Sequence, residues 1–248
     1  MRSRTRTRWR NCFAIGRGRF GNEMEPKNIA YNVDCLAYMK SLPDKAFDLA
    51  VVDPPYGGGG QGFAGPERFG GRFDRYRASQ PDRREVGIQV RKKIIAWDNA
   101  PGKEYFDELF RVSKQQIIWG GNYFALPPCR CFLIWEKTNI PENFTMAQCE
   151  YAWTNFKDNA KIFKHTSIRA KDEGHFHPTE KPVSLYAWIY QKYAKPGDKI
   201  LDTHLGSGSS RIAAYDAGLD FVGTEIDAEY FRLQEERWAA YTAQIRMW

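Results

Sequence analysis

No run of apolar residues in this chain approaches the roughly 18 that a membrane-spanning helix needs, so a protein built on such helices is excluded and no membrane partner is expected. Cysteine is scarce: five residues, an odd number without framework spacing, argue against a disulfide-stapled secreted fold and for a reducing interior. Histidine is scarcer still, at four. Cys129-x-Cys131 with His175-x-His177 has the wrong spacing for the usual zinc pairs, and no metal is expected. The first 22 residues contain no acid and no apolar stretch of the signal-peptide kind, which excludes a secretory signal. Internal repeats and heptads are missing too. What the chain does have is bulk to bury, with aromatic residues making up 15% of its 248 positions.

The charge is unevenly placed. There are 37 basic and 30 acidic side chains, a formal +7. Arg2, Arg4, Arg6, Arg8, Arg10, Arg17 and Arg19 all precede the first acid, Glu23, so they hold the whole excess and residues 23–248 sum to zero. Residues 1–23 are expected to be a disordered Arg-rich leader: an arm for nucleic acid, a transit-like sequence, or a stretch upstream of a natural start at Met24. Residues 24–248 are expected to form a single domain. A second basic zone, 57–103, opposes ten Lys/Arg to five Asp/Glu, a local +5. Rich in Gly and Arg, its 57–89 part far exceeds the roughly 12–15 residues of an ordinary connection. It is a candidate DNA surface, with Arg68, Arg72, Arg75, Arg91, Lys92 and Lys93 as candidate phosphate contacts.

Apolar runs of strand length lie at Ile29–Val33, Phe47–Val52, Gln116–Trp119, Cys131–Trp135, Glu150–Trp153, Lys199–Asp202 and Phe221–Thr224. Several are continuous, as in strands buried on both faces. Helical patterns fall between them at Cys35–Ser41, Lys103–Val112, Val183–Ala194, Ser209–Ala217 and Ala228–Ala243. The alternation predicts a doubly wound α/β fold with a mostly parallel sheet. With no helix between 131–135 and 150–153, that pair is expected to be antiparallel at a sheet edge. Segment 164–177 carries no pattern, and 137–177 is a candidate for target recognition. Trp238, Tyr241 and Trp248 are candidates for a contact in a homodimer.

Two places carry chemistry. Asp53-Pro54-Pro55-Tyr56 follows the strand 47–52, where ligands of open α/β sheets bind. The prolines remove two N–H donors and leave carbonyls free to accept. An ionised Asp only accepts, and a Tyr ring offers a stacking face, so the tetrapeptide suits an exocyclic amine on a planar base. A Pro-rich turn with a locally capping Asp is the plainer alternative. The second place is the strand, Gly loop and helix of Lys199–Ser210, followed by Glu225-Ile226-Asp227 at the next strand end. Glycines allow close backbone approach, and an acid about 20 residues on suits ribose hydroxyls. The loop has no Lys and is no Walker loop, so a nucleoside without phosphates fits better.

Taken together, these segments resemble the DNA amino-methyltransferases that use S-adenosylmethionine, in the permuted order found in many bacterial and phage enzymes. That resemblance implies a class I methyltransferase fold and a cytoplasmic enzyme acting on DNA. It makes Asp53, Pro54, Pro55 and Tyr56 the catalytic motif, of the kind more typical of adenine-N6 enzymes. Leu201–Ser209 resembles the family's cofactor loop, departing from it at Thr203-His204. The cofactor residues it implies are Asp34, His177, Thr179, Lys181, Asp202, Thr203, Leu205, Gly206, Ser207, Gly208, Ser209, Glu225 and Ile226. Chemistry on an adenine further implies base flipping, with Tyr56 stacked on the extruded ring. Cytosine-N4 methylation on the same scaffold, and a catalytically silent DNA- or nucleoside-binding module, are the competing readings.

Overall fold

A computed structural model describes residues 27–57, 99–144, 147–167 and 179–245. His177, the candidate phosphate contacts Arg68, Arg72, Arg75, Arg91, Lys92 and Lys93, residues 1–26 and Trp248 lie outside the described residues, as does most of 57–103.

Among the described residues eight strands form one sheet: β1 (Asn28–Tyr31), β2 (Phe47–Val52), β3 (Ser113–Trp119), β4 (Phe132–Lys137), β5 (Cys149–Thr154), β6 (Lys161–His165), β7 (Lys199–Asp202) and β8 (Asp220–Thr224), in the order β1-β8-β7-β2-β3-β5-β4-β6. All pairings are parallel except those of β5, which runs against both β3 and β4. The doubly wound α/β reading therefore holds. Its antiparallel strand is not at the edge, however. The edge belongs to β6, which pairs in parallel with β4, and β5 is enclosed. Lys161-Ile162-Phe163-Lys164-His165 escaped notice because only two of its residues are strongly apolar and its faces alternate in exposure.

Among the described residues five helices flank the sheet: α1 (Cys35–Lys40), α2 (Lys103–Val112), α3 (Val183–Tyr193), α4 (Ser209–Asp216) and α5 (Ala228–Ile245). Because alternate side chains of a strand point to opposite faces, β2 feeds two cores. Leu49 and Val51 join Leu185, Ile189 and Tyr190 of α3 and Ala213 and Ala214 of α4 on one side. Ala50 and Val52 join Met39 of α1 and Tyr105, Phe106, Leu109 and Val112 of α2 on the other. In α2 those four positions follow helical spacing and are all buried, with Glu104 in the first turn and Arg111 in the last to complement the helix dipole.

The strand order reverses direction between β2 and β7. From β2 the chain proceeds to β3 on one side, and from β7 to β8 on the other, while β2 and β7 pair directly through Leu49–Ile200 and Ala50–Leu201. Such a switch point opens a crevice beyond the carboxyl ends of the strands.

Candidate active site

Both chemical segments lie at that crevice. Asp53 follows β2, the loop Thr203–Gly208 follows β7, Glu225 follows β8, and Asp34 comes shortly after β1. Residues remote in sequence thus meet because their strands are neighbours.

On the β2 side, Asp53 receives two donors. Tyr56 Oη donates to Oδ1 at 2.9 Å, and the ammonium of Lys181 binds Oδ2. Lys181 also pairs with Glu150 of β5 at 3.1 Å, and Glu150 with Lys137 of β4 at 2.6 Å. The Lys181 Nζ stands 5.4 Å from the centre of the Trp119 ring. Only 3% of the Lys181 side chain is exposed, so its charge depends on these partners. Burial pushes the Asp53 carboxyl above its usual range, and the Lys181 ammonium acts against that rise. For Glu150 the balance tips the other way: burial raises it, but Lys181 and Lys137 leave it below the usual range. Burial lowers Lys181, and the two carboxylates more than reverse this.

Tyr56 is held as a flat platform. Its ring stacks on Tyr123 with centroids 4.7 Å apart and planes 20° apart, and meets Phe124 edge-on. Gly120 makes this possible. It ends β3 at φ +66°, and a Cβ there would fall 2.0 Å from the Tyr56 ring. Tyr123, on the short 3₁₀ turn Gly121–Tyr123, is 59% exposed. Trp119 is buried, and Tyr123 is exposed beside Tyr56.

On the β7 side the acceptors are answered by neutral donors. Asp202, 2% exposed, accepts from the Ser210 hydroxyl and from the His204 N–H at 3.1 Å. Burial pushes its carboxyl up to about 7. Glu225 accepts from the Gly206 N–H and the Asp227 N–H, each at 2.9 Å, and burial raises it as well. Gly206 and Gly208 take φ of +52° and +77°, a region that strongly favours glycine, so the chain can turn from β7 into α4. Leu205, Ser207 and Ser209 are buried, and Ile226 is 65% exposed. Thr203 Oγ1 bonds Tyr105 Oη at 2.6 Å and His204 Nδ1 at 2.9 Å. Burial lowers His204 to about 4, leaving it neutral at physiological pH. Asp34 Oδ1 caps α1 by accepting from the Ala37 N–H at 2.8 Å, and next to it Cys35 Sγ lies 4.0 Å from His204 Nε2.

The segment 179–181 ties the halves together. Glu180 turns to the Gly loop, 3.5 Å from Ser209 Oγ and paired with Arg237 at 2.8 Å, whereas Lys181 turns to Asp53. The resemblance places Lys181 beside the cofactor; in the structure its ammonium pairs with Asp53. Glu150, Lys137 and Tyr123 carried no motif at all, and only the sheet order brings them in.

Other sequence candidates find local uses. Cys129 Sγ bonds Tyr151 Oη at 3.3 Å, while Cys131 Sγ reaches the Asn159 carbonyl at 3.5 Å. Among the described residues no cluster of three His, Cys, Asp or Glu could hold a metal. Trp238 packs edge-on against Tyr215 and under Arg211, and Tyr241 donates to Asp216, so both are engaged within the chain. No described helix is long and apolar enough to cross a membrane.

The family model for DNA methylases of the N6/N4 type matches residues 116–236. Type II methyltransferase M.HinfI of Haemophilus influenzae is 25% identical over 253 residues, covering 85% of this chain and 68% of its own. A protein of Escherichia coli named "Putative methylase YubD" is 26% identical over 218 residues, covering 84% of this chain and 88% of its own. Among solved structures, PvuII DNA methyltransferase, described as cytosine-N4-specific, aligns with a TM-score of 0.51 at 12% identity, covering 86% of this chain and 88% of its own. That last likeness bears on the fold alone, and the fold is that of the class I methyltransferases.

Proposed function

We propose that this chain, which matches the N6/N4 DNA methylase family model over residues 116–236, methylates the exocyclic N6 of adenine in DNA, using S-adenosylmethionine as donor. One observation carries the reading: an acceptor pair, Asp53 and the Pro54 carbonyl, and a nucleoside-type loop stand at the ends of adjacent strands at the switch point. The family match begins at Gln116, so the role of Asp53–Tyr56 rests on this placement.

The residues of the loop fit the cofactor. Glu225 is a part-buried carboxylate suited to ribose hydroxyls, and the exposed Ile226 beside it offers an apolar face for an adenine. Asp34 stands at the same end. The guanidinium at the loop, Arg237, is already engaged by Glu180 and the Ser207 carbonyl, which disfavours a phosphate. When bound, S-adenosylmethionine supplies a sulfonium methyl as electrophile. The chain's own contribution is to the amine. The N6 lone pair of adenine is delocalised into the ring. Hydrogen bonds accepted by Asp53 and the Pro54 carbonyl favour a pyramidal nitrogen whose lone pair is available. Asp53 also stabilises the positive charge that develops there, and positioning supplies much of the rate. The base cannot reach this pocket within a duplex, so it must be flipped out, with the Tyr56 ring as its stacking surface.

The Asp at the head of the tetrapeptide favours adenine over cytosine. Incubation with mixed-sequence DNA and labelled cofactor, followed by nucleoside analysis, tests this. N6-methyladenine is expected; N4-methylcytosine would overturn the choice of base, and no labelled nucleoside would overturn the reaction.

A further inference from the structure

A lysine ammonium has three donors, and the surroundings of Lys181 account for them. Two point to Asp53 and Glu150, and the face of Trp119 lies beside the group. Behind Glu150 stands Lys137, so charges alternate from Asp53 through Lys181 and Glu150 to Lys137. The line crosses from the catalytic turn to β5 and then to β4.

The groups facing Asp53 come from several elements. Tyr56 is on its own turn, Lys181 on the segment before α3, Glu150 on β5, Tyr186 on α3, Tyr105 on α2 and Asp202 at the end of β7. Burial holds Tyr186 and Tyr105 neutral, and Glu150 and Asp202 are acids. Lys181 is the one cation paired with Asp53 among the described residues. A carboxyl that took up a proton here would become a donor and could no longer accept both partners it now holds.

We propose that Lys181 is a positioning residue for methyl transfer: braced by Glu150 and Lys137, it fixes the Asp53 carboxylate and keeps it an anionic acceptor for the amine of the target base. This rests on the reading of Asp53 as the amine acceptor. It assigns Lys181 to the base rather than to the cofactor.

Carbon-13 NMR of the Asp carboxyls in the full chain, with Asp53→Asn to assign the resonance, measures the Asp53 titration without requiring turnover. Lys181→Met is expected to raise it by about one pH unit or more, and Lys181→Arg to hold it near wild type. Glu150→Gln is expected to lower it, because a neighbouring negative charge is removed while Lys181 stays. Opposite shifts from two neighbours are a signature that mere loosening of the pocket does not produce. In DNA methylation assays the acid limb of kcat should move with the NMR titration, with kcat of Lys181→Met at pH 7 reduced about tenfold or more. Calorimetric affinity of that variant for S-adenosylmethionine should change less than about threefold.

An Asp53 titration that stays in place in Lys181→Met overturns the proposal. So does a large loss of cofactor affinity without a shift, which would make Lys181 a cofactor ligand. Should Lys181→Met fail to fold, Glu150→Gln decides by the same NMR readout, and an unmoved titration there overturns the proposal. NMR shifts as expected in protein that methylates no DNA would mean that the reading of the reaction has failed, and with it the catalytic role of Lys181.

Discussion

Asp53 and Asp202 stand at the ends of neighbouring strands of one sheet, the first part-buried and the second buried, yet the fold treats them oppositely. Asp53 is given an ammonium, and through it a further acid and base. Asp202 is given a hydroxyl and a backbone N–H, and among the described residues no cation pairs with it. If Asp53 accepts from the amine of a target base, as proposed above, it has to stay ionised, and the Lys181 ammonium secures that. Asp202 shares its oxygens with neutral donors and can tolerate a proton.

The contrast is broken most directly at Asp53. Asp53→Ala should reduce methyl transfer at least about a thousandfold, while calorimetry shows cofactor affinity near wild type. Loss of both together would mean that the two sites are not separable. Next comes the pH dependence of Asp202. Its carboxyl titrates at 3.8 when free and at about 7 in the fold, so the native state keeps a proton that the unfolded chain has released. Stability from this group is full below pH 4 and falls as pH rises towards 7, by a few kcal/mol. Asp202→Asn should flatten that fall in urea titrations between pH 4 and 8; an unchanged slope would place the titrating group elsewhere.

A smaller effect sharpens the comparison within the cofactor half. Glu225→Ala removes an acceptor of two backbone N–H groups and should weaken cofactor binding about tenfold or more, with little change in the Asp53 titration. The smallest falls on the aromatic platform. Gly120→Ala forces a Cβ into the Tyr56 ring at a positive φ, at a cost of about 1–2 kcal/mol in stability, and should raise the KM for DNA more than that for cofactor. A KM pattern with the opposite bias would remove Tyr56 from the base-binding surface.

Much of the frame was legible because its signals are local. Phe47–Val52 is apolar without interruption, α2 repeats its buried residues at helical spacing, and the Gly loop sits between a strand and a helix. The two motifs could be named from their residue types. Their partners could not. Glu150 and Lys137 are polar residues near strand ends, ordinary in sequence, and become neighbours of Asp53 only through the pairing of β5 with β3 and β4. Lys181 was visible as a motif residue, but which carboxylate it would serve depended on a turn of the chain within 179–181. The edge strand β6 was lost because a short, half-exposed strand has almost no hydrophobic period to detect.

The reversed course of β5 has one more consequence. In a parallel sheet, loops on the ligand side lead away into helices, and altering them disturbs how the next layer packs. Because β5 returns against β4, the connection spanning 138–148 leaves and re-enters the sheet on the same side as Asp53. It is anchored by strand pairing at both ends and is covalently independent of every helix. A change of length or sequence there is expected to leave the register of the strands around Asp53 in place.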